Sequence, residues 1–126
     1  MAGSNLKNTL FRMAKTKLGA SLMGTIFGAM PFLIPSEKLI ETDTLVAFHH
    51  PVPSYRIHIL LVPRRHYSSL MELDAADLTF MQDLIRSAQE LVARFDLEAG
   101  GYRLLVNGGK SQDVPYLHFH LISGED

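Results

Sequence analysis

The chain contains no cysteine. Disulfides, thiolate metal sites and cysteine nucleophiles are therefore excluded. Acidic residues are missing from the N-terminal end. None occurs before Glu37, and Lys7, Arg12, Lys15 and Lys17 are the only charged side chains there. The first 36 residues thus carry +4, and the remainder, with eight basic and 13 acidic side chains, carries −5. The net charge of −1 gives no general reason to expect nucleic-acid binding. Long apolar runs are lacking too. Residues 18 to 36 are uncharged but are broken by Gly19, Gly24, Gly28, Pro31 and Pro35, which argues against a membrane span or a cleavable signal. There are no repeats or low-complexity tracts. What remains is a globular composition, 47% hydrophobic and 20% charged over 126 residues, enough for one domain with a moderate core. A cytoplasmic location is the expectation.

Several segments declare themselves by pattern. Leu6, Leu10, Met13, Leu18 and Leu22 recur at helical spacing among the basic residues, predicting an amphipathic helix near the N-terminus. Docking on the domain or on a second subunit is its favoured role; contact with a membrane surface and a frayed terminus are the alternatives. Residues 39 to 48 read as a hairpin with Asp43 at the turn, followed by a loop at Pro51 and Pro53. Residues 56 to 62 form a strand with Ile57, Ile59 and Leu61 on one face and Arg56, His58 and Leu60 on the other. Residues 74 to 95 read as a helix capped by Asp74, with Leu78, Met81, Leu84, Ile85, Ala88, Leu91, Val92 and Phe95 on its apolar face and a Glu90–Arg94 pair. Gly100 and Gly101 end that segment, and residues 102 to 106 form another strand. Strands, a helix, then strands predict an α+β fold with the helix on an antiparallel sheet.

The chemistry lies near the C-terminus, in the run from Gln112 to Ile122. Strand alternation places Leu117, Phe119 and Leu121 on a core face and Tyr116, His118 and His120 on the other. Two imidazoles then stand about 7 Å apart along one strand. Before them comes Asn107-Gly108-Gly109-Lys110-Ser111, a glycine-rich loop able to turn backbone N–H groups toward an anion. Paired histidines also occur as metal ligands, and single ones as ordinary structural residues. An anion cradle beside an imidazole nucleophile, whose ordinary pKa is about 6.5, points instead to chemistry on a phosphate ester.

Gln112-Asp113-Val114-Pro115-Tyr116-Leu117-His118-Phe119-His120 resembles the signature of the histidine triad (HIT) proteins, Gln-x-Val-x-His-x-His-x-His, with Tyr116 where the first histidine would stand. Thr25 to Gly28, Ile34-Pro35, Ala47-Phe48-His49, His58 through His66, Gly101-Tyr102-Arg103 and Val106-Asn107 follow in the order of the nucleotide-binding branch. The resemblance covers residues 25 to 124. It implies a HIT domain over residues 25 to 126 preceded by an extension over residues 1 to 24, a five-stranded antiparallel sheet with a long helix, and a homodimer. It also implies a purine nucleotide or nucleotide conjugate as ligand, with no cofactor and no metal. By that resemblance His118 is the nucleophile, His120 its neighbour at the phosphate, and His58 an additional catalytic histidine. Asn107, Gln112, Asp113 and Tyr116 surround the phosphate, and Phe27, Phe48, His49 and His50 belong to the nucleotide site.

Three departures from the family pattern bear on activity. Tyr116 is neutral near pH 7 where a histidine shares protons. His50 stands where the family has an aspartate that holds the ribose hydroxyls. Asp113 stands where serine is frequent and brings a carboxylate toward a phosphate. The expected function is a hydrolase or transferase of nucleoside monophosphate esters or amidates acting through a nucleotidyl-histidine. The alternatives are a nucleotide-binding module with little turnover, and a divalent-metal enzyme using His118 and His120 with His49, His50 or His58.

Overall fold

The computed structural model describes residues 37 to 125. The expected N-terminal helix, Phe27 and the matches at residues 25 to 28 and 34 to 35 lie outside the described residues. Five strands form one antiparallel sheet: β1 (Lys38–Glu41), β2 (Leu45–His49), β3 (Tyr55–Pro63), β4 (Arg103–Val106) and β5 (Phe119–Glu125). Their spatial order is β1-β2-β3-β5-β4. A single long helix, α1 (Leu78–Arg94), joins β3 to β4. The α+β architecture expected from the sequence is therefore the one observed.

Local chemistry sets each boundary. The β1–β2 turn is held by the Thr42 hydroxyl, which accepts the amide hydrogens of Thr44 at 3.1 Å and Leu45 at 3.0 Å. The helix starts four residues later than expected. Asp77 is the cap, its carboxylate accepting from the Phe80 amide at 3.3 Å, while Asp74 takes the Ala76 amide at 2.9 Å in the turn before it. Arg94 does not follow the expected pairing with Glu90; its Nη1 donates to the Leu39 carbonyl at 3.2 Å, tying α1 to β1.

Alternation along the strands produces two apolar layers. Leu45, Ala47, Ile59, Leu61, Phe119 and Leu121 face α1 and pack with its Phe80, Leu84, Leu91 and Val92. Each fully buried aliphatic side chain contributes roughly 1.5–3 kcal/mol relative to exposure. The opposite face is not simply a polar cleft, because Val46, Phe48, Leu60, Val62, Val114 and Tyr116 form a smaller apolar cluster there. The cleft residues are mounted beside that cluster.

The C-terminal run divides between the two faces as its alternation predicts, but the strand begins only at Phe119. Pro115 has no N–H to give to a ladder, and the chain bends there, with the Tyr116 amide bonded to the Val114 carbonyl at 2.7 Å. The Leu117 amide then donates to the Tyr67 carbonyl at 2.7 Å, fixing the approach to β5. No helix among the described residues is long and apolar enough to cross a membrane.

Candidate functional site

β3 and β5 are neighbours, with His58 opposite Ile122 and Leu60 opposite His120. His58 and His120 are thus diagonal neighbours on one face. Their rings meet through a hydrogen bond of 2.9 Å between His58 Nε2 and His120 Nδ1. The backbone decides which nitrogen donates. The Ser54 amide can only donate, and it lies 3.1 Å from His58 Nδ1. His58 therefore carries its proton on Nε2 and donates it to His120 Nδ1, which leaves the His120 proton on Nε2. That atom is buried and has no hydrogen-bond partner among the described residues. Leaving such a donor unpaired costs about 1–3 kcal/mol, and an acceptor brought by a ligand would recover it.

His118 is set by the mirror-image rule. A carbonyl oxygen can only accept, and the Tyr116 carbonyl lies 2.7 Å from His118 Nδ1. Nδ1 carries the proton, and Nε2 keeps its lone pair. The rings of His118 and His120 stand 4.9 Å apart, closer than the strand repeat alone suggests. His50 completes the group, its ring 4.3 Å from that of His58 and 6.3 Å from that of His120. The Val52 amide donates to His50 Nδ1 at 2.9 Å.

Packing four imidazoles together sets their charge. Burial, and then repulsion from the neighbouring rings, pushes His50 down to about 3 and His120 down to about 4. Burial also lowers His58, and His118 repels its protonated form further. His118 is lowered by burial too, against the opposing pull of the Tyr116 carbonyl and the Asp113 carboxylate. All four are neutral near pH 7. The ordinary imidazole value assumed from sequence does not apply, and the arrangement supplies lone pairs and N–H dipoles rather than cations. Among the described residues no three His, Asp or Glu side chains are placed to hold a metal ion.

The other expected site residues divide. Phe48 is buried beneath the cleft face. Asn107 follows Val106, which pairs with Phe119, so it stands across from His118. Asp113 is exposed. Gln112 acts as a clamp, its Nε2 donating to the Ser68 carbonyl at 2.7 Å and the Val114 carbonyl at 2.9 Å. The loop amides are only partly available, because Ser111 and Gln112 spend theirs on the carbonyls of Gly108 and Gly109 in a short 3₁₀ turn. Tyr116 does not reach His118 with its side chain. Its ring is 1% exposed, its hydroxyl donates to the Pro63 carbonyl at 2.9 Å, and His66 stacks on it at 4.8 Å. His49 points the other way from the cluster, 5.8 Å from the Phe95 ring at the end of α1. One residue of alternation separates it from Phe48 and His50.

The HIT-domain family model matches residues 32–126. The chain belongs to the HIT family. An uncharacterized HIT-like protein of Helicobacter pylori is 30% identical over 94 residues, covering 73% of this chain and 88% of that protein. A HIT family hydrolase from Clostridium thermocellum has the same fold, with a TM-score of 0.71 and 25% identity, covering 83% of this chain and 90% of that one. A histidine triad nucleotide-binding protein from Candida albicans gives a TM-score of 0.68 and 28% identity, covering 83% and 75%. Within this HIT domain, sequence reasoning missed the Ser54 amide and the His66 ring. Neither has a side-chain pattern of its own; both come into place only through the loops that flank β3.

Proposed function

We propose that this HIT protein is a hydrolase or transferase of nucleoside monophosphate esters or amidates. The observation that carries the proposal is the opposed pair of tautomers. His118 offers a lone pair on Nε2, and His120 offers an unpaired N–H beside it. Nε2 of His118 attacks the α-phosphorus, forming a P–N bond while the bond to the leaving group breaks. The leaving group takes the bonding pair and a proton from water. The imidazole becomes a phosphorylated cation, and the Tyr116 carbonyl on its Nδ1–H stabilises that charge. His120 donates to a non-bridging oxygen, and its orientation is held by His58 and ultimately by the Ser54 amide. Water then cleaves the P–N bond, splitting one difficult displacement into two.

The nucleotide-binding branch of the family fits best, and the Candida albicans nucleotide-binding protein supports that placement. On this reading Tyr116 occupies the first triad position and supports His118 through its backbone. A purine nucleotide conjugate is the ligand. His50, with Nδ1 already taken by Val52, does not supply the paired acceptors that a carboxylate would give a ribose diol. A homodimer is part of the proposal. It is supported by the exposed edge strand β4 and by a cavity of about 270 Å³ beside it, lined by Ile85, Ala88, Val92, Tyr102 and Leu104. Light scattering of the purified protein at about twice the 14.1 kDa chain mass is the expected result.

One observation favours a binding module with little turnover. The Asp113 carboxylate acts on His118 through space, and its charge opposes an incoming phosphate. Steady-state hydrolysis of adenosine 5′-phosphoramidate decides between the two. Release of AMP by the native protein, lost in His118→Ala, is expected. Tight nucleotide binding with no release by either protein would establish the binding module instead.

A further inference from the structure

The neutral imidazole cluster raises the question of what compensates an anionic substrate, and the sheet register supplies an answer. On the cleft face His58 has two cationic neighbours. Arg56 lies two residues earlier on β3, and so on the same face. Arg103 on β4 is opposite Ile122 on β5, which is in turn opposite His58. Both arginines are exposed in the single protomer, Arg103 on the edge strand β4 offered above to a second copy, and neither has a carboxylate partner among the described side chains. The Arg103 guanidinium lies over the Tyr55 ring at 5.8 Å, and the same ring meets His58 edge-on at 5.5 Å. Tyr55 is thus a bridge from the arginine to the imidazoles.

Beside Arg103 and Tyr55 the surface is hollow. A cavity of about 220 Å³ is lined by Tyr55, Gly100, Gly101, Arg103, Ile122 and Gly124. No atom lies within 4 Å of where a Cβ would stand on Gly100 or Gly101, so the backbone there borders open space. A Cβ on Gly124 would lie 3.2 Å from Arg56 Nε, which places the Arg56 side chain against that end of β5. Along β5 this end is two to four residues beyond His120, roughly 7–13 Å by the strand repeat.

We propose that Arg103 and Arg56 form an anion-binding lip that takes a second anionic group, phosphate or carboxylate, carried by the substrate beyond the phosphate at His118. The inference rests on the nucleotide reading above and narrows it to doubly anionic conjugates. Guanidinium suits either group, since its planar fork matches both phosphate and carboxylate oxygens. The Tyr55 ring holds the Arg103 fork in place, so less side-chain freedom is lost on binding.

Equilibrium binding tests this without relying on turnover. Calorimetry on His118→Ala, and on that variant carrying Arg103→Gln or Arg56→Gln, compares two ligand pairs. One pair is AMP and ADP. The other is the AMP amidates of glycine and of glycinamide, which differ by one carboxylate. The expected result is about tenfold tighter binding of the extra-anion member in at least one pair, the worth of one charge-assisted hydrogen bond. Arg103→Gln should erase that preference and leave the affinity for AMP within about twofold; Arg56→Gln should reduce it. A gain in the ADP pair identifies phosphate as the second group, and a gain in the glycine pair identifies carboxylate. Normal AMP binding with no arginine-dependent preference in either pair overturns the lip alone. Failure of the native protein to bind AMP at all overturns the nucleotide reading and the lip with it.

Discussion

Lowering the pH from 7 to 5 should destabilise this protein far more than its carboxylates can explain. An unfolded histidine titrates near 6.5, whereas folding pushes His50 down to about 3 and His120 down to about 4. Between those values the unfolded chain binds more protons than the folded one, so stability rises with pH across the window. It is fully present above pH 6.5 and is lost as the pH falls toward the folded values. At pH 5 the unfolded state has gained about 1.5 pH units of protonation free energy at each site. At about 1.4 kcal/mol per unit this is ~2 kcal/mol per histidine and ~4 kcal/mol for the pair. That is a large share of the 5–15 kcal/mol typical of a domain. His58 and His118 are lowered as well and add to the loss. The chain has no tryptophan, so the assay is urea unfolding followed by circular dichroism at both pH values. His120→Asn, which cannot titrate, should remove about half of the pair's pH dependence. If the midpoint shifts equally in native protein and variant, or does not shift at all, the buried neutral cluster is wrong.

Two further substitutions probe the supports of the site. Tyr116→Phe removes the buried hydroxyl from the Pro63 carbonyl and should cost about 1–2 kcal/mol of stability. It should lower kcat/KM on the order of tenfold, about 1.4 kcal/mol, through a looser His118 carbonyl anchor; activity as low as in His118→Ala would assign the phenol a direct chemical role. Asp77→Ala removes both the cap on α1 and the carboxylate that accepts the Tyr67 hydroxyl at 2.8 Å. About 2–3 kcal/mol of stability should be lost by urea unfolding, with Asp77→Asn retaining most of it.

Much of the fold was legible because its elements are periodic. Ile57, Ile59 and Leu61 alternate with His58 and Leu60, and the sheet places them as that alternation requires. The apolar stripe of α1 was equally plain, although its first turn was not. Asp74 and Asp77 are both capping types, and the choice fell to the one with the Tyr67 hydroxyl in reach. That His58 belongs with His120 came from the family resemblance and not from periodicity, because their contact depends on β5 pairing with β3. The charge state was not visible, since ordinary imidazole values hold only in water. The family resemblance grouped His49 with Phe48 and His50, whereas alternation turns the ring of the middle residue to the opposite face, against Phe95.

The proposed reaction turns on a covalent bond between the substrate phosphorus and His118 Nε2. Rapid acid quench of the native protein turning over adenosine 5′-phosphoramidate, followed by peptide mass spectrometry, measures it directly. The expected result is an adenylyl group on the peptide carrying His118, present within the first turnover and absent in His118→Ala. Turnover with no adenylylated peptide at any quench time, or with the adduct on His120 or His58, would contradict it.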